Sequence, residues 1–290
     1  EQRVLPKLVA SAQADVLFSP AYTCPLWCPV PIVLVIHDVS FAAHPEWFPW
    51  REGLRRRTLT RLGARRAARV ITDADFSKDE ITRLLGVPSQ RIDVIYLGAS
   101  ALHEAEPDEH SRAPLVLYVG SLFNRRHVPE LIEGFRQLAT RKPEARLEIV
   151  GDNRTKPRID PEQLIATSGD SGRVRWRSYI HDHDLAALYG AASAFAFLSD
   201  YEGFGLTPLE AMAAGIPVVV LDTPIAREIY GAAAVYLPQP EPRLIADALE
   251  RLLAPSEERA RLIDAGMKQV QRYSWRECAQ HTLQVLLAAR

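Results

Sequence analysis

The chain has 290 residues, 47% of them hydrophobic and 24% charged, with a formal net charge of −1 at pH 7. This length and hydrophobic content allow two folded cores and exclude a disordered or fibrous chain. No apolar run approaches the ~20 residues of a membrane span, and the amino-terminal residues lack the apolar core of a secretory signal. Three cysteines are too few for a disulfide scaffold, so a cytoplasmic protein with reduced thiols is predicted.

The first half of the chain alternates apolar runs with helical patterns, which is typical of a parallel α/β sheet. Its predicted strands are 15–20, 32–37, 69–73 and 92–97. A long arginine-rich helix is predicted from about Trp50 to Ala68. Residues 1–103 form the first predicted domain, and the polar stretch 104–114 is the predicted linker.

The Arg51–Arg69 segment is strongly basic. It holds eight arginines against one acid, Glu52, and Trp47, Phe48 and Trp50 come just before or at its start. Three interpretations stay open: a solvated helix, a surface for anionic lipid headgroups, or a nucleic-acid surface. Aromatic residues beside arginines favour a membrane interface over a nucleic-acid duplex.

The second half of the chain repeats the alternation of strands and helices. Its predicted strands are 115–121, 147–150, 174–177, 194–198 and 217–221. The second predicted domain covers residues 115–272, and a terminal helix is predicted from Trp275 to Ala289 within residues 273–290. Both halves are therefore predicted to be doubly wound α/β domains.

The segment after the strand 194–198 carries the strongest chemical signal. Thr207, Pro208 and Glu210 follow the rule for a capping box, which predicts a helix that begins at Pro208. Gly203 and Gly205 allow a tight turn before it, so that unpaired amide groups point outward beside the positive end of the helix dipole. Such a place binds phosphate. On spacing alone, a purely structural helix cap explains the pattern equally well.

The run Glu-Gly-Phe-Gly-Leu-Thr-Pro-Leu-Glu, from Glu202 to Glu210, resembles the E-x7-E signature of the GT4 family of retaining glycosyltransferases, which have the GT-B fold. Leu115 to Ser121, followed by Leu-Phe-Asn-Arg-Arg-His, resembles the strand and basic loop of that family's nucleotide-binding domain. The resemblance implies two Rossmann-like doubly wound domains facing a cleft, with the terminal helix crossing back toward the first domain. The opening βα units of an ordinary GT-B protein are missing here, so the amino-terminal domain is predicted to be incomplete.

The same resemblance implies roles for individual residues. Glu202 would hold hydroxyls of the donor sugar, and Glu210 would hold the ribose diol. Two guanidinium groups would neutralise the leaving diphosphate, so that no cofactor and no metal is required. The implied donor-binding residues are Ser121, Arg125, Arg126, Glu202, Gly203, Phe204, Gly205, Leu206, Thr207 and Glu210. The implied catalytic residues are His37, Glu202 and Arg126.

His37 opens the segment His-Asp-Val-Ser-Phe, which resembles a segment of mannosyltransferase-like members of the family. By that resemblance His37 would face the cleft and contact the donor sugar, and GDP-mannose is the first choice of donor, with UDP-glucose as an alternative. The other histidines considered are predicted to be surface or capping residues: His44, His127, His181 and His183.

These features predict transfer of a hexose, with retention, to a hydroxyl of a glycan or lipid-linked acceptor. The alternative is a truncated, non-catalytic nucleotide-sugar-binding module. A dinucleotide oxidoreductase is disfavoured because no G-x-G-x-x-G follows a strand with an acid ~20 residues later. The predicted location is cytoplasmic, with peripheral contact at the inner face of the membrane through the Arg51–Arg69 segment, and no nucleic-acid partner is predicted.

Overall fold

A computed structural model describes residues 1–100, 114–169 and 172–290. The predicted linker, 104–114, lies outside these ranges except for its last residue. The chain divides into two compact units. The first unit comprises Glu1–Gly98, Glu202–Phe204 and Tyr273–Arg290, and the second comprises the described parts of Ala99–Tyr201 and Gly205–Arg272.

The first unit contains a parallel sheet of four strands whose spatial order follows the chain order. The strands are β1 (Leu17–Ser19), β2 (Ile32–Val35), β3 (Arg69–Thr72) and β4 (Ile92–Val94). The first helices are α1 (Val4–Ser11), α2 (Ser40–Ala43), α3 (Trp50–Arg66) and α4 (Asp75–Leu85). The four predicted strands and the arginine-rich helix are thus confirmed, each with slightly shorter bounds.

Strand β2 is buried on both faces, as expected for a parallel strand with helices on either side. Successive side chains of a strand point to opposite faces. Ile32 and Leu34 accordingly join one apolar core, whereas Val33 and Val35 join another. The unbroken apolar run of this segment therefore reflects two separate cores rather than one.

The second unit contains a parallel sheet of six strands. They are β5 (Leu115–Val119), β6 (Arg146–Val150), β7 (Val174–Arg177), β8 (Ala194–Phe197), β9 (Val218–Leu221) and β10 (Ala234–Leu237). The helices are α5 (Val128–Arg141), α6 (Pro161–Ser168), α7 (Asp182–Ala191), α8 (Leu206–Ala213), α9 (Pro224–Tyr230), α10 (Pro242–Leu253) and α11 (Glu257–Val270). The five predicted strands of this half are confirmed, and β10 is an additional strand that the sequence analysis missed.

The strand order of this sheet, β10-β9-β8-β5-β6-β7, contains a reversal. From β5 the chain builds β6 and β7 on one side, and it then returns to place β8 on the other side. All five residues of β5 are buried, as befits the central strand. The carboxyl ends of β5 and β8 are therefore neighbours at a topological switch point, which is where open α/β sheets bind ligands.

The last helix, α12 (Trp275–Ala288), belongs to the first unit. It begins where the Ser274 hydroxyl accepts a hydrogen bond from the Glu277 amide. Val285 and Leu286 of α12 pack against the core that contains Val33 and Val35 of β2. The helix thereby covers the second face of the four-stranded sheet. Across the described ranges, no helix combines the length and the apolar character that crossing a membrane requires.

Candidate functional site

The loop after β5 carries the two arginines that were predicted to bind phosphate. Nη1 of Arg126 donates to the Ser121 carbonyl at 2.9 Å, and its guanidinium lies 4.9 Å from the ring centre of Phe197 in β8. Nε of Arg125 donates to the Tyr201 carbonyl at 3.1 Å. Both guanidinium groups are therefore oriented by contacts with the segment that ends β8. Because these contacts are made by backbone oxygens and an aromatic face, they leave the positive charge of each arginine uncompensated by an acid in these bonds.

The backbone in front of this loop is closely packed. Gly120 has φ +150°, and a Cβ atom at this position would lie 2.9 Å from Nη1 of Arg126. Glycine is therefore needed for Arg126 to fold back over the loop. The hydroxyl of Ser121 hydrogen-bonds with Asp152 and so holds the pKa of that carboxyl below its usual value. Ser121 thus connects the loop after β5 to the loop after β6.

Helix α8 begins at Leu206, two residues before the predicted start, so the prediction of a capping box is wrong. Gly205 is the N-cap residue and has the left-handed conformation, with φ +90°. The Tyr230 hydroxyl donates to the Gly205 carbonyl at 3.0 Å and fixes this entry to the helix. Thr207 therefore lies within the first turn, where its side chain caps nothing.

The first turn of α8 offers several hydrogen-bond donors. The amide groups of Leu206 and Thr207 have no acceptor within the helix, because the first amides of any helix lack one. In the part of the chain that the structure describes, Oγ1 of Thr207 is buried and has no hydrogen-bond partner. These donors lie at the positive end of the helix dipole, which attracts an anion.

Glu210 lies one turn further along α8 and contacts a tyrosine. Its carboxylate accepts a hydrogen bond from the Tyr189 hydroxyl at 3.1 Å, and Tyr189 is completely buried. Burial raises the pKa of Glu210, whereas the Tyr189 hydrogen bond acts in the opposite direction. The glutamate that was predicted to complete a capping box is therefore the acceptor for a buried hydroxyl of α7.

Replacing Glu210 with alanine is expected to lower the free energy of unfolding by about 1–3 kcal/mol, because the buried Tyr189 hydroxyl loses its acceptor. Glu210→Gln keeps an acceptor oxygen and is expected to lose little stability. Urea unfolding of both variants measures the difference. A double variant with Tyr189→Phe should recover part of the loss. If Glu210→Ala unfolds at the wild-type urea midpoint, the hydrogen bond contributes nothing.

His127 joins the loops after β5 and β8. It is the N-cap residue of α5, as expected of a capping histidine, but only 18% of its side chain is exposed, so the prediction of a surface residue is wrong. Its Nε2 lies 2.7 Å from Oδ2 of Asp200, and its Nδ1 lies 3.6 Å from Oε1 of Glu130. The Asp200 amide also donates to the Arg125 carbonyl at 3.0 Å. The two loops are thus held together beside the arginine pair.

The conformation of His127 is unusual for a residue with a side chain. Its φ is +48°, in the left-handed region, which costs a residue other than glycine roughly 1–2 kcal/mol. The two carboxylate contacts offset that cost. The sequence offered little sign of this arrangement, because Asp200 lies 73 residues away and only the sheet order brings it close.

Stability is expected to depend on pH through His127. Burial lowers its pKa, but hydrogen bonds and charges from Asp200 and Glu130 raise it to about 9, above the ordinary 6.5. The protonated ring therefore stabilises the fold fully below about pH 6.5, and this contribution is lost as the pH rises through about 9. His127→Asn tolerates the positive φ, so it should be about 1–2 kcal/mol less stable than wild type near pH 6, allowing for solvent screening. Urea unfolding across this range should show the difference shrink toward pH 10, and a constant difference would contradict the prediction.

His37 follows β2 in the first unit and has two hydrogen-bond partners. Its Nδ1 lies 2.8 Å from Oδ2 of Asp73, and its Nε2 lies 3.0 Å from the Pro20 carbonyl oxygen. A carboxylate and a carbonyl both accept hydrogen bonds, so the geometry favours a ring that is protonated on both nitrogens. The hydrogen bond with Asp73 raises the pKa of His37, although burial opposes it. Burial in turn raises the pKa of Asp73.

Asp38, the neighbour of His37, has a structural position. Its Oδ2 accepts a hydrogen bond from the Tyr22 hydroxyl at 2.8 Å, and its Oδ1 accepts one from the Ser40 amide at 2.8 Å. The second bond satisfies an amide at the start of α2. The His-Asp pair seen in the sequence therefore splits into two separate sets of contacts.

The segment Glu202–Phe204 belongs to the first unit, although the residues on either side belong to the second. A Cβ atom at Gly203 would lie 2.2 Å from the His37 carbonyl oxygen, so only glycine fits. The Ser77 hydroxyl donates to the Gly203 carbonyl at 3.1 Å. Phe204 is buried, and its ring centre lies 5.4 Å from that of Tyr273. Phe204 is therefore a packing residue of the first unit.

The predicted site residues fall into two groups. Those in the second unit meet around the β5/β8 switch point or on the helix that follows it: Ser121, Arg125, Arg126, Gly205, Leu206, Thr207 and Glu210. Those in the first unit are His37, Glu202, Gly203 and Phe204. Over the described ranges, no three His, Cys, Asp or Glu side chains are grouped so as to hold a metal ion.

Two family models match the chain. The model described as Glycosyltransferase Family 4 matches residues 2–101, and the model described as Glycosyl transferases group 1 matches residues 101–269. The second match alone covers more than half of the chain. The two matches meet at residue 101, close to the boundary between the two compact units.

Relatives and solved structures agree with these matches. O-antigen chain mannosyltransferase B of Escherichia coli is 27% identical over 262 residues, which are 87% of this chain and 68% of that protein. MMP alpha-(1->4)-mannosyltransferase of Mycolicibacterium hassiacum is 28% identical over 272 residues, which are 88% of this chain and 64% of that protein. The chain thus spans about two thirds of the length of these relatives.

The fold is shared with Anabaena HepE, whose crystal structure was solved in complex with UDP and glucose. The two have a TM-score of 0.77 at 21% identity, over 97% of this chain and 80% of that one. WaaG, a glycosyltransferase involved in lipopolysaccharide biosynthesis, gives a TM-score of 0.75 at 18% identity, over 97% and 80%. With two parallel α/β sheets and both family matches, the chain belongs to the group 1 glycosyl transferases of the GT4 type and has the GT-B fold.

Proposed function

We propose that this protein transfers a hexosyl group from a nucleotide sugar to a hydroxyl acceptor, with retention at the anomeric carbon. The observation that carries the proposal is the convergence at the β5/β8 switch point. The loop after β5 brings Arg125 and Arg126, and the loop after β8 leads into the first turn of α8. Arginines and helix amides together form an anion site at the place where open α/β sheets bind nucleotides.

The diphosphate of the donor occupies this anion site in the proposed complex. The amides of Leu206 and Thr207 donate to phosphate oxygens, and Arg125 and Arg126 neutralise the charge that develops as the sugar leaves. Thr207 is half-buried as a residue, so a change of its side-chain rotamer is enough to turn its hydroxyl toward a bound oxyanion. That bond would satisfy the one buried hydroxyl of the loop that has no partner among the described residues.

The chemistry that follows uses no enzyme nucleophile. The departing phosphate oxygen takes the proton of the incoming hydroxyl, and the hydroxyl attacks the anomeric carbon from the face that the phosphate leaves. Glu202 accepts hydrogen bonds from the donor sugar, and Glu210 accepts from the ribose diol. His37 is proposed to donate through Nε2 to a sugar hydroxyl in exchange for the Pro20 carbonyl, while Asp73 holds Nδ1.

GDP-mannose is the proposed donor. Its support is the His37-Asp-Val-Ser-Phe segment and two relatives that are named mannosyltransferases. UDP-glucose is the alternative, because HepE was solved with UDP and glucose and, in another crystal structure, with UDP-glucose. The proposed acceptor is a glycan or a lipid-linked sugar.

The first experiment is calorimetric titration with GDP, UDP and ADP, with and without Mg²⁺. One nucleotide should bind independently of the metal. Thr207→Val should weaken that binding about tenfold without loss of stability, because it removes only a hydroxyl that has no partner within the protein. Thr60→Val is the matched control, since Oγ1 of Thr60 is likewise buried and without a partner among the described residues but lies in the first unit. Equal binding by both variants would remove Thr207 from the proposed site.

A transfer assay separates the enzyme from the non-catalytic binding module. The chain is incubated with GDP-mannose or UDP-glucose and a lipid-linked acceptor, and the anomeric configuration of the product is read by NMR. An α-linked product from an α-linked donor supports retention. Nucleotide binding without transfer or donor hydrolysis would support the binding module instead, and an inverted product would contradict the proposed mechanism.

A further inference from the structure

The exposed face of α3 has no part in the proposed sugar transfer. The helix packs onto the first unit through small residues, since its buried positions are Gly53, Thr60, Gly63 and Ala64. Small residues let the helix backbone approach the core closely, and the long side chains of α3 are left on the outside. This face can therefore be considered as a surface in its own right.

An apolar line runs along the outside of α3. Trp50, Leu54 and Leu62 are 69%, 49% and 42% exposed. Their spacing, in multiples of four residues, places them in a row that winds slowly around the helix. Single exposed apolar residues are common, but a row of large ones on one helix face marks an interaction surface.

Arginines flank this apolar line on both sides. Arg51 and Arg55 follow Trp50 and Leu54 by one position, whereas Arg61 precedes Leu62 by one and Arg65 lies a turn after Arg61. The guanidinium of Arg51 lies 5.3 Å from the ring centre of Trp50. α3 as a whole holds seven arginines and one acid, Glu52, which is paired with Arg56 at 2.6 Å. The face therefore combines a large positive charge with exposed apolar side chains.

A neighbouring loop extends the same surface. A Cβ atom at Gly63 would lie 3.1 Å from Sγ of Cys24, so the loop that contains Cys24 packs against α3. This loop also holds Leu26 and Trp27, which are 37% and 64% exposed. A second exposed tryptophan thus lies on the loop that adjoins the basic helix.

The kind of partner follows from this combination. A helix that is simply solvated accounts for the arginines but not for the exposed tryptophans and leucines. A nucleic-acid duplex would contact the guanidinium groups through its phosphates and would leave the apolar line in water. An anionic bilayer satisfies both, because headgroup phosphates pair with arginine while tryptophan and leucine enter the headgroup region.

We propose that the outer face of α3, with the adjoining loop of Leu26 and Trp27, is a binding surface for membranes that contain anionic phospholipids. Arginines on either side of the apolar line contact the headgroups. Trp50, Leu54 and Trp27 enter the interfacial layer beneath them. This attachment is peripheral and does not depend on nucleotide binding.

Vesicle sedimentation tests the proposal with the whole chain. The protein should sediment with phosphatidylcholine vesicles that contain phosphatidylglycerol, not with pure phosphatidylcholine, and less so at high salt. Arg51→Ala/Arg55→Ala should lower vesicle affinity about 25-fold, which corresponds to about 1 kcal/mol for each arginine. Trp50→Ala should lower affinity at every salt concentration, because it removes apolar contact rather than charge. The matched control is Arg243→Ala/Arg251→Ala, which removes two exposed arginines from α10 of the second unit.

The outcomes distinguish this proposal from its rivals and from the proposed function. Wild-type affinity in Arg51→Ala/Arg55→Ala, or an equal loss in the control variant, would overturn the proposal. So would displacement of the protein from vesicles by a nucleic-acid duplex at equal phosphate concentration, because that would show a duplex to be the better ligand. Calorimetry with GDP and UDP should give wild-type affinity in the Arg51/Arg55 variant, so a failed nucleotide site and a failed membrane surface are read separately.

Discussion

Replacing Arg126 with alanine is expected to weaken the binding of the nucleoside diphosphate about 100-fold, since it removes charge-assisted hydrogen bonds to phosphate at the switch point. The same change removes the guanidinium from the ring of Phe197 and from the Ser121 carbonyl, which now hold it above Gly120. The loop therefore loses both its charge and the side chain that shapes it. Titration of the purified variant with GDP and UDP measures the effect.

Three controls show whether phosphate contact is the cause. Arg126→Lys keeps the charge but loses the planar fork, and it should bind with intermediate affinity. Arg136→Ala removes an exposed arginine of α5 that is paired with Glu133, and it should bind as wild type does. The free nucleoside, which has no phosphate, should bind wild type and Arg126→Ala equally. If the Arg126→Ala protein binds the diphosphate normally, Arg126 is only a structural residue of the loop.

Replacing Gly205 with alanine is expected to lower the free energy of unfolding by about 2–4 kcal/mol and to abolish most nucleotide binding. Alanine is strained at φ +90°, and its Cβ atom would lie 2.1 Å from the Tyr230 hydroxyl oxygen. The Tyr230 side chain must then move, which breaks its hydrogen bond to the Gly205 carbonyl. The first turn of α8 would shift with it and carry the Leu206 and Thr207 amides away from the phosphate.

The two causes of this loss can be separated by a second glycine. Gly169 also has a positive φ, +78°, but a Cβ atom there would have nothing within 4 Å. Gly169→Ala therefore reports the backbone strain alone, and the excess loss in Gly205→Ala reports the collision with Tyr230. Urea unfolding gives both values. Equal losses in the two variants would show that the Tyr230 contact yields at no cost.

The strands were predictable because each is a short apolar run bounded by loops, and the parallel arrangement follows from their alternation with helices. β10 escaped because it follows Ala232 and Ala233, whose composition suggests a helix rather than a strand. The arginine pair and the Glu202–Glu210 segment could be found from local spacing and family resemblance. These parts of the site are local in sequence.

The remaining contacts of the site depend on residues that are distant in the chain. The Thr207–Glu210 pattern satisfies the capping rule, yet Tyr230 holds Gly205 in a conformation that starts the helix earlier. Glu210 meets Tyr189, and His127 meets Asp200, only because of where the strands place their loops. Local propensity could not reveal these pairs, since each needs the sheet order first.

The assignment of Glu202–Phe204 to the first unit bears on how enzymes of this kind could be recombined. A chimaera that exchanges the second unit as one uninterrupted piece would import three foreign residues into the packing of its host. Phe204 would then meet an unfamiliar Tyr273, and position 203 would lie against the carbonyl of His37, where only glycine fits. Successful exchange of donor specificity would therefore require three junctions more than a cut at the two unit ends suggests: the tripeptide has to stay with the first unit, and the two flanking loops must be rejoined around it.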